Sequence, residues 1–481
     1  MATVITSIGA KSATADPVDG PLTMAVGGSG SGTPWTGTIK FSSAPTANIG
    51  DQLYYHQAYY NCFGGPGSCS GPANMIYLIT GISSDGLTLT VKYISGGANF
   101  DPNSLYATSS GASGAKSQPY VLRFYSTPNA WNTAMGSAND LYDSGDNGQG
   151  ELYKDSYYSV NATIYITKGL VNGLVRVGLT VASSQRHDGT AGSGVEFKLA
   201  SSTVCGYFAL AFEPSGPVRR LLEWVEYNGQ TYGQAGCGMA VFLYGGGGYV
   251  WFAEANHCLI HNFQWGSTDA TGYNNVMEST LSTYYCTQNN IINDHTTESD
   301  QDGSLGVIGI NCTKSYGLAA NNTVHDIRTH NTARNGYGIL CADSSTKKVV
   351  NNICTSCSDD DFSGAAQGNN NLSSDSTAPG SNSVTGASAS DLFENPTRGS
   401  EDLHLKNGAE ALRAGADLGT GYTIGSDIYG GTTTAITTLN IDIDGRNRDS
   451  EGDDWDIGAD QCDTCSEGST GSPAFLLFLD S

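Results

Sequence analysis

The chain has 481 residues with 46 acidic and 22 basic side chains, which gives a formal net charge of −24. A chain this acidic lacks the basic surface that binds nucleic-acid phosphates, and an anionic membrane surface would repel it. The sequence contains no run of about eighteen apolar residues, the minimum for a membrane-spanning helix. Its first residues also lack the charged and apolar regions of a secretory signal peptide. We therefore expect neither a nucleic-acid partner nor a membrane partner.

Short apolar runs bounded by Gly, Asn, Asp and Ser are typical of β-strands and indicate an all-β protein. In the first part of the chain, Met75–Thr80 and Leu87–Tyr93 flank Ser84–Gly86. This arrangement predicts a β-hairpin because Asp-Gly accepts the positive φ angles of a tight turn. Residues 1–125 are therefore predicted to form a small N-terminal β domain, barrel-like or sandwich-like, that serves as an attachment or assembly module.

Two short segments have helical character. Thr127–Met135 carries a proline near its start and two large apolar side chains four residues apart. Ala409–Ala414 is followed by Gly415, which could end a helix in the left-handed conformation. We predict a helix in each segment.

An internal repeat is the most informative feature of the sequence. It occurs four times, with starts 33, 32 and 30 residues apart, at Asn256–His261, Asn289–Asp294, Asn321–Asp326 and Asn351–Ser356. A unit of about 30 residues with short strands cannot bury its apolar face alone, so stacking in a solenoid is expected. Stacking would form an inward apolar column of Leu259, Ile292, Val324 and Cys354. It would also form an asparagine ladder of Asn290, Asn322 and Asn352.

The repeat and the C-terminal motifs resemble the right-handed parallel β-helix proteins of pectate-lyase-like architecture. The resemblance rests on Glu401–Leu405, Ala409–Gly415, Asp442–Arg446 and Asp456–Ala459, which look like the closing segment of such proteins from bacteria and their viruses. Upstream, Ala130–Trp131, Gly150–Tyr153 and Leu221–Glu226 look like the opening segment of phage β-helix proteins. The resemblance implies a right-handed parallel β-helix over residues 126–460, which includes the C-terminal closing segment.

Asp294 and Asp326 occupy the same position in adjacent repeats and are the first candidate metal ligands. In a solenoid their carboxylates would lie about one strand spacing apart, which could bind Ca²⁺, as acidic columns do in the pectate lyases that the fold resembles, or form an acid–base pair. The alternative is a solvated outer face. Arg328 and Arg334 are near in sequence, but neither recurs in the repeat, so no catalytic residue is assigned.

Asp442 and Asp444 are the second candidate pair. They supply oxygens at alternate positions before Gly445, which is part of a calcium-loop pattern. The alternative is that both cap a turn and pair with Arg446 or Arg448. Ca²⁺ is thus the only candidate cofactor, none is required, and no cofactor-binding residue is assigned.

Twelve cysteines raise the question of disulfides. Cys62 and Cys69 bracket a glycine-rich loop that a disulfide could close, and Cys462 and Cys465 could form a local disulfide in the tail. Cys312 and Cys341 are predicted to be buried free thiols, since free cysteine packs as a small apolar group. The tail, residues 461–481, ends in an apolar run that we expect to pack on the solenoid or to contact another subunit.

These features favour a non-enzymatic structural protein of an extracellular assembly, in particular a capsid-decorating protein, fibre or spike of a phage or virus particle. Its partners would be other structural subunits or copies of itself, with glycans as a further class, and it would lie in a virion or on an extracellular surface. A polysaccharide lyase or hydrolase, or a carbohydrate-binding β-helix protein, is the alternative. A bacterial surface adhesin or filament subunit is the second alternative.

Overall fold

The structure, a computed structural model, describes most of the chain. The described residues are 3–25, 29–31, 35–60, 70–95, 118–136, 141–168, 173–201, 206–210, 218–230, 240–243, 251–265, 275–279, 283–297, 306–313, 316–329, 335–341, 347–364, 367–419, 423–424, 434–435, 439–451, 454–462 and 464–465. They form two compact units, Met1–Ser156 with Lys168–Ala182 and Tyr157–Thr167 with Ser183–Ser481. No helix among these residues has the length and apolar character needed to cross a membrane.

The first unit contains a six-stranded antiparallel sheet. Its strands in spatial order are Gly30–Ser31, Thr36–Lys40, Thr88–Ser95, Ser70–Ile82, Gln52–Tyr60 and Tyr120–Leu122. The predicted hairpin is confirmed, with Gly86 at a φ of +71° in the turn. Aromatic side chains fill its core, where the Tyr55 and Tyr77 rings pack edge to face at 5.9 Å.

The first unit also contains three parallel strands, which are Thr3–Ile8, Asn147–Leu152 and Arg176–Val181. The predicted helix is confirmed over Pro128–Met135, and the Thr127 hydroxyl oxygen caps it by accepting a hydrogen bond from the Ala130 N–H at 3.1 Å. The helix buries its apolar side, and the side chains of Trp131 and Met135 are fully buried. The strand Thr3–Ile8 therefore pairs with a strand that comes after the whole antiparallel sheet in the sequence.

A buried ion-pair network links these parts of the first unit. Arg123 binds Asp155 through two hydrogen bonds of 2.9 Å and binds Asp51 at 3.0 Å. Asp51 is fully buried and Arg123 is 4% exposed. The ring of Tyr153 lies 3.7 Å from the Arg123 guanidinium. One guanidinium thus compensates two carboxylates away from water.

The second unit is built of three parallel sheets, numbered here in the order in which each coil passes through them. The first sheet comprises Arg219–Glu223, Trp251–Asn256, Thr283–Gln288, Tyr316–Ala320, Lys347–Val350 and Gln367–Asn369. The second comprises Tyr158–Val160, Glu196–Leu199, Glu226–Asn228, Leu259–Trp265, Ile291–Thr297, Thr323–Arg328, Ile353–Thr355, Leu372–Ser373 and Val384–Thr385. The third comprises Ile164–Tyr165, Phe208–Leu210, Val241–Leu243, Asn275–Ser279, Val307–Asn311, Gly336–Leu340 and Phe362–Ser363. The all-β class and the parallel β-helix are confirmed.

A two-residue turn joins the first sheet to the second sheet in each coil. Its first residue has a positive φ, and the six members of this outer turn column are Trp224, His257, Asn289, Asn321, Asn351 and Asn370. Its second residue points inward, and from the third of these turns on it is the buried Asn290, Asn322, Asn352 and Asn371. These form the predicted asparagine ladder, in which side-chain amides donate to the next side-chain oxygen at 2.9 to 3.1 Å.

The proposed repeat is one residue out of register at its first copy. The strands pair Ile260 with Ile292, and Ile292 in turn pairs with Val324. The inward column is therefore Ile260, Ile292, Val324 and Cys354, whereas Leu259 faces outward with Ile291 and Ile353. Asn256–His257 resembles the Asn-Asn pair in sequence, but His257 occupies the position of the first asparagine.

The described residues from 387 to 465, called here the covering segment, pack on the outward faces of two sheets. On the second sheet they bury Leu259, Ile291, Ile353 and Leu372 beneath apolar side chains that include Phe393, Leu403 and Ile457. On the first sheet they bury Cys286, Leu318 and Val350 beneath Leu439 and Trp455. Apolar residues on both faces of these strands explain the continuous apolar runs in the sequence. The covering segment also contains the short helix Ala389–Leu392 and the 3₁₀ turn Arg448–Glu451. It has two antiparallel strand pairs, Phe393–Asn395 with Asp402–Leu405 and Thr423–Ile424 with Thr434–Ala435. Outside the covering segment, Ser183–Gln185 forms another 3₁₀ turn.

The helix predicted over Ala409–Ala414 is wrong. The segment forms turns in which the Leu412 N–H donates to the Ala409 carbonyl oxygen, and Arg413 adopts the left-handed conformation expected of Gly415. Ala411 accepts a hydrogen bond from the N–H of Ile457 instead of continuing a helix. Tertiary hydrogen bonds within the covering segment thus replace the helical ones.

Candidate functional site

Asp294 and Asp326 lie side by side in adjacent coils. The residues on either side of them pair, Asn293 with His325 and His295 with Ile327, and both aspartates have positive φ angles. Asp294 is 3% exposed and Asp326 is 2% exposed, so neither carboxylate faces open solvent. The earlier coil supplies Asn262 at this position, and not His261 as the sequence comparison of the repeats had indicated.

Arginines compensate the charge of these two carboxylates. Arg398 Nη2 lies 2.5 Å from an Asp294 oxygen and its Nε lies 3.9 Å from an Asp326 oxygen, while Arg328 forms an ion pair with Asp326. Burial raises the pKa of Asp294, although Arg398 acts in the opposite direction. The arrangement favours a partly buried ion-pair cluster that fixes the covering segment, through Arg398, to two coils. Calcium binding by this pair stays a prediction.

Asp442 and Asp444 differ in environment although they are two residues apart. One Asp442 oxygen accepts hydrogen bonds from the N–H groups of Asp444 and Arg446 at 3.0 and 2.7 Å, and the other accepts from the Gln461 N–H at 3.2 Å. Burial raises the pKa of Asp442 to about 7. Asp442 therefore stabilises a turn, which leaves its oxygens little capacity to bind a cation.

Asp444 belongs to a polar cluster around His404. His404 Nε2 lies 3.1 Å from an Asp444 oxygen and 2.7 Å from the Asp188 carbonyl oxygen, and Nδ1 lies 2.5 Å from an Asp402 oxygen. Burial alone would lower the pKa of His404, but the hydrogen bond to Asp444 and the charge of Asp460 outweigh burial and raise the pKa to about 10. Sequence reasoning missed His404 and Asp460, since no motif marks them.

Residues of the strand Asp402–Leu405 line two cavities. The larger, of about 380 Å³, is lined by His404, Leu405, Asp444, Asp460 and other residues. The smaller, of about 280 Å³, is lined by polar side chains that include His261, Asn262, Asn293, Glu401 and Asp402. The covering segment thus contributes most of the lining of the larger cavity and part of the lining of the smaller one.

His261 forms a buried pair with Glu226 beside the smaller cavity. His261 Nε2 lies 2.9 Å from a Glu226 oxygen, which also accepts a hydrogen bond from the Gly192 N–H at 2.7 Å. Burial would raise the pKa of Glu226, but the hydrogen bond and charge of His261 outweigh it and lower the pKa. Glu226 is thus held as a carboxylate that positions His261 and the loop at Gly192.

Four cysteines among the described residues form two disulfides, and Cys258, Cys286, Cys354 and Cys357 are free. Cys462 and Cys465 form a disulfide, and they line the larger cavity. Cys312 and Cys341 also form a disulfide, so the expectation of free thiols there is wrong. They follow paired strands in adjacent coils, which brings their Cα atoms within 4.9 Å. Cys62, Cys69 and the apolar end of the tail lie outside the described residues.

No protein-family model, no curated protein and no solved structure matches this chain. The fold defines the second unit as a parallel β-helix with a folded-back covering segment.

Proposed function

We propose that this protein is a non-enzymatic structural component of an extracellular assembly, in particular a capsid-decorating protein, fibre or spike of a phage or virus particle. The observation that carries the proposal is the attachment of the covering segment to the outer turn column. A structural component must resist separation of its repeats, and this attachment joins successive coils from outside.

Each attached coil contributes a side chain to this contact. His257 Nε2 lies 2.9 Å from the Ile441 carbonyl oxygen, and the Asn321 amide donates to the Leu439 carbonyl oxygen at 3.1 Å. The Asn351 side chain both donates to and accepts from the backbone of Ala416 at 2.8 Å. Asn370 donates to the Ala414 carbonyl oxygen at 2.8 Å.

Arg448 completes the attachment from the side of the covering segment. Its side chain is fully buried and donates to Asn289 Oδ1 at 3.1 Å and to the carbonyl oxygens of Gly458 and Ala459 at 2.9 and 2.7 Å. A buried guanidinium with several acceptors strongly resists displacement, because removal of those acceptors would leave a buried charge unpaired. The coils and the covering segment are therefore expected to unfold together.

The remaining properties are compatible with an assembly subunit. A net charge of −24 keeps an exposed surface hydrated and disfavours non-specific association. The proposed partners are copies of the same chain or other structural subunits, and the proposed location is a virion or an extracellular surface. The proposed role requires no cofactor.

Localisation in purified particles tests the proposal. Antibodies against the chain, applied to particles purified from the natural source and viewed by electron microscopy, should label ordered, symmetry-related positions. Release of unsaturated or reducing sugar ends from a polysaccharide by the purified protein, abolished by Asp294→Asn or Asp326→Asn, would overturn it.

The smaller cavity favours glycan binding as a second candidate function. Amide and carboxylate side chains such as Asn262, Asn293 and Asp402 line it, and these groups hydrogen-bond to sugar hydroxyls. Binding to an immobilised glycan array that Asn262→Ala abolishes would support this candidate. If Asn262→Ala binds the array as strongly as the parent protein does, the smaller cavity is not the glycan site.

A further inference from the structure

Three segments that are distant in sequence bring potential metal ligands together at the larger cavity. His404, Asp444 and Asp460 each offer one ligand atom, and these three atoms lie within 4.8 Å of one another. His404 belongs to the strand Asp402–Leu405, whereas Asp444 and Asp460 belong to two later loops of the covering segment. All three residues line the cavity, which has a volume of about 380 Å³.

Asp460 provides an independent indication of a cation. It is only 3% exposed, and one carboxylate oxygen accepts a hydrogen bond from the Leu405 N–H at 2.7 Å. Its other oxygen, Oδ1, is buried and has no hydrogen-bond partner among the residues that the structure describes. A buried carboxylate oxygen without a donor is costly, and coordination of a cation would remove that cost.

His404 is oriented as a metal ligand is usually oriented. Its Nδ1 lies 2.5 Å from Asp402 Oδ1, while Nε2 faces the Asp188 carbonyl oxygen at 2.7 Å and Asp444 Oδ1 at 3.1 Å. Metal-binding histidines commonly donate their second ring N–H to a carboxylate, which fixes the ring and raises its basicity. Asp402 would have that role here.

We propose that His404 Nε2, Asp444 and Asp460 bind one divalent transition-metal ion of the Zn²⁺ type, with Asp402 as the residue that positions His404. One imidazole with two carboxylates suits Zn²⁺, whereas Ca²⁺ prefers oxygen ligands alone. Zinc–ligand distances of about 2.0–2.2 Å place ligand atoms roughly 3.3 Å apart, close to the present separation of His404 and Asp444. The ion would join the strand at His404 to the loops that close the chain.

The proposal replaces one residue of the pair suggested by the sequence. Asp442 is left out of the proposed site because three backbone N–H groups already donate to its oxygens. Asp444 remains, although its second oxygen forms an ion pair with Arg446 at 3.0 Å. The Asp188 carbonyl oxygen, 2.7 Å from His404 Nε2, is a further oxygen within reach of the site.

Calorimetric titration of the tag-free, full-length protein with Zn²⁺ after chelator treatment tests the proposal. We expect one strong site per chain, and at least about tenfold weaker binding in His404→Gln and in Asp460→Asn. Asp402→Asn should weaken binding by about 10- to 100-fold. Asp460→Asn retains an acceptor for the Leu405 N–H, and circular dichroism would verify that each variant is folded.

Glu394→Gln is the matched control, because Glu394 lines the same cavity but lies outside the three-residue cluster. Its Zn²⁺ affinity should equal that of the parent protein. Equal weakening in Glu394→Gln and Asp460→Asn would show non-specific attraction to the acidic cavity and overturn the proposal. Retention of Zn²⁺ binding in His404→Gln, or preference for Ca²⁺ over Zn²⁺, would also overturn it. Co²⁺ should give the visible absorption of a tetrahedral site in the parent protein and not in His404→Gln.

Discussion

The side-chain amide of Asn322 donates a hydrogen bond to the side-chain oxygen of Asn352, which lies 2.9 Å away and one coil further along the solenoid. The same amide donates to the Thr287 carbonyl oxygen of the preceding coil at 3.0 Å. The Asn322 oxygen accepts from both the backbone and the side chain of Asn290. One buried side chain therefore satisfies polar groups in both neighbouring coils.

Asn322→Ala should destabilise the solenoid strongly. The substitution leaves the Thr287 carbonyl and the Asn290 N–H without these partners, at a cost of about 2–4 kcal/mol for the unsatisfied groups. Asn335→Ala removes an exposed asparagine and should change stability by less than about 0.5 kcal/mol. Thermal unfolding of both variants checks this expectation, and similar midpoints for the two would contradict the role assigned to the ladder.

The repeat made the solenoid and the ladder predictable, because asparagines at a fixed spacing are visible in a single sequence. The sequence places Leu259 in the inward column, where the structure has Ile260, for a physical reason. The outer turn column requires a positive φ, and His257 fulfils that requirement at +52° without being an asparagine. Conformation defines the column better than residue type does.

The candidate site could be predicted only in part. Asp294 and Asp326 follow from the repeat, whereas the position of Arg398 depends on how a segment without repeats folds back. The cluster of His404 and Asp460 likewise requires contacts between segments that have no common spacing. Cys312 and Cys341 follow paired strands in adjacent coils, but their spacing in the sequence does not distinguish a pair of thiols from a disulfide.

Substitutions at Asn351 should separate two contributions to stability, the positive φ of its backbone and the hydrogen bonds of its side chain to the covering segment. Its φ is +56°, and its side chain forms two hydrogen bonds of 2.8 Å with Ala416. Asn351→Gly should lose only the hydrogen bonds, at about 1–2 kcal/mol, whereas Asn351→Ala should add about 1 kcal/mol for the left-handed conformation. Denaturant unfolding measures the two losses. A glycine variant less stable than the alanine variant would contradict this account.

Acid should weaken the second unit through His257. His257 is buried with its ring stacked on that of Trp224. Burial lowers the pKa of His257 to about 3, and the charges of Arg186 and Arg448 act in the same direction. Between that value and about 6.5 the unfolded chain binds a proton that the folded chain does not. Stability should therefore fall as the pH decreases through this range, by up to roughly 4 kcal/mol from this residue.

His257→Asn isolates that contribution, because asparagine occupies the same position in the next four coils. Its unfolding midpoint should depend less on pH between 3 and 6.5 than that of the parent protein. His187 and His295, whose pKa values burial lowers to about 4 and about 3, remain in both proteins and should contribute to the residual dependence. Parallel curves for the two proteins would refute the assignment to His257.

The disulfide between Cys312 and Cys341 should stabilise adjacent coils. It closes a loop of 29 residues, for which the chain-entropy model gives about 3–4 kcal/mol. Cys312→Ser with Cys341→Ser should lower the unfolding temperature under non-reducing conditions and remove most of the effect of reductant on this unit. Cys357→Ser is the control, since Cys357 is a half-buried free thiol outside the inward apolar column, and it should have little effect. Peptide mapping after alkylation should find Cys312 and Cys341 unmodified without reductant, and their alkylation would contradict the pairing.

Replacement of Arg123 should strongly destabilise the first unit. Arg123→Met leaves the carboxylates of Asp51 and Asp155 without their shared cation, and removal of one partner from a buried ion pair costs about 3–5 kcal/mol. Asp51→Asn added to Arg123→Met should recover part of that loss, because one uncompensated buried charge is then removed. Lys154→Met, which removes an exposed cation from the same unit, is the matched control and should have little effect. Urea unfolding of the three variants measures these differences. A double variant less stable than Arg123→Met would show that Asp51 is not compensated by Arg123.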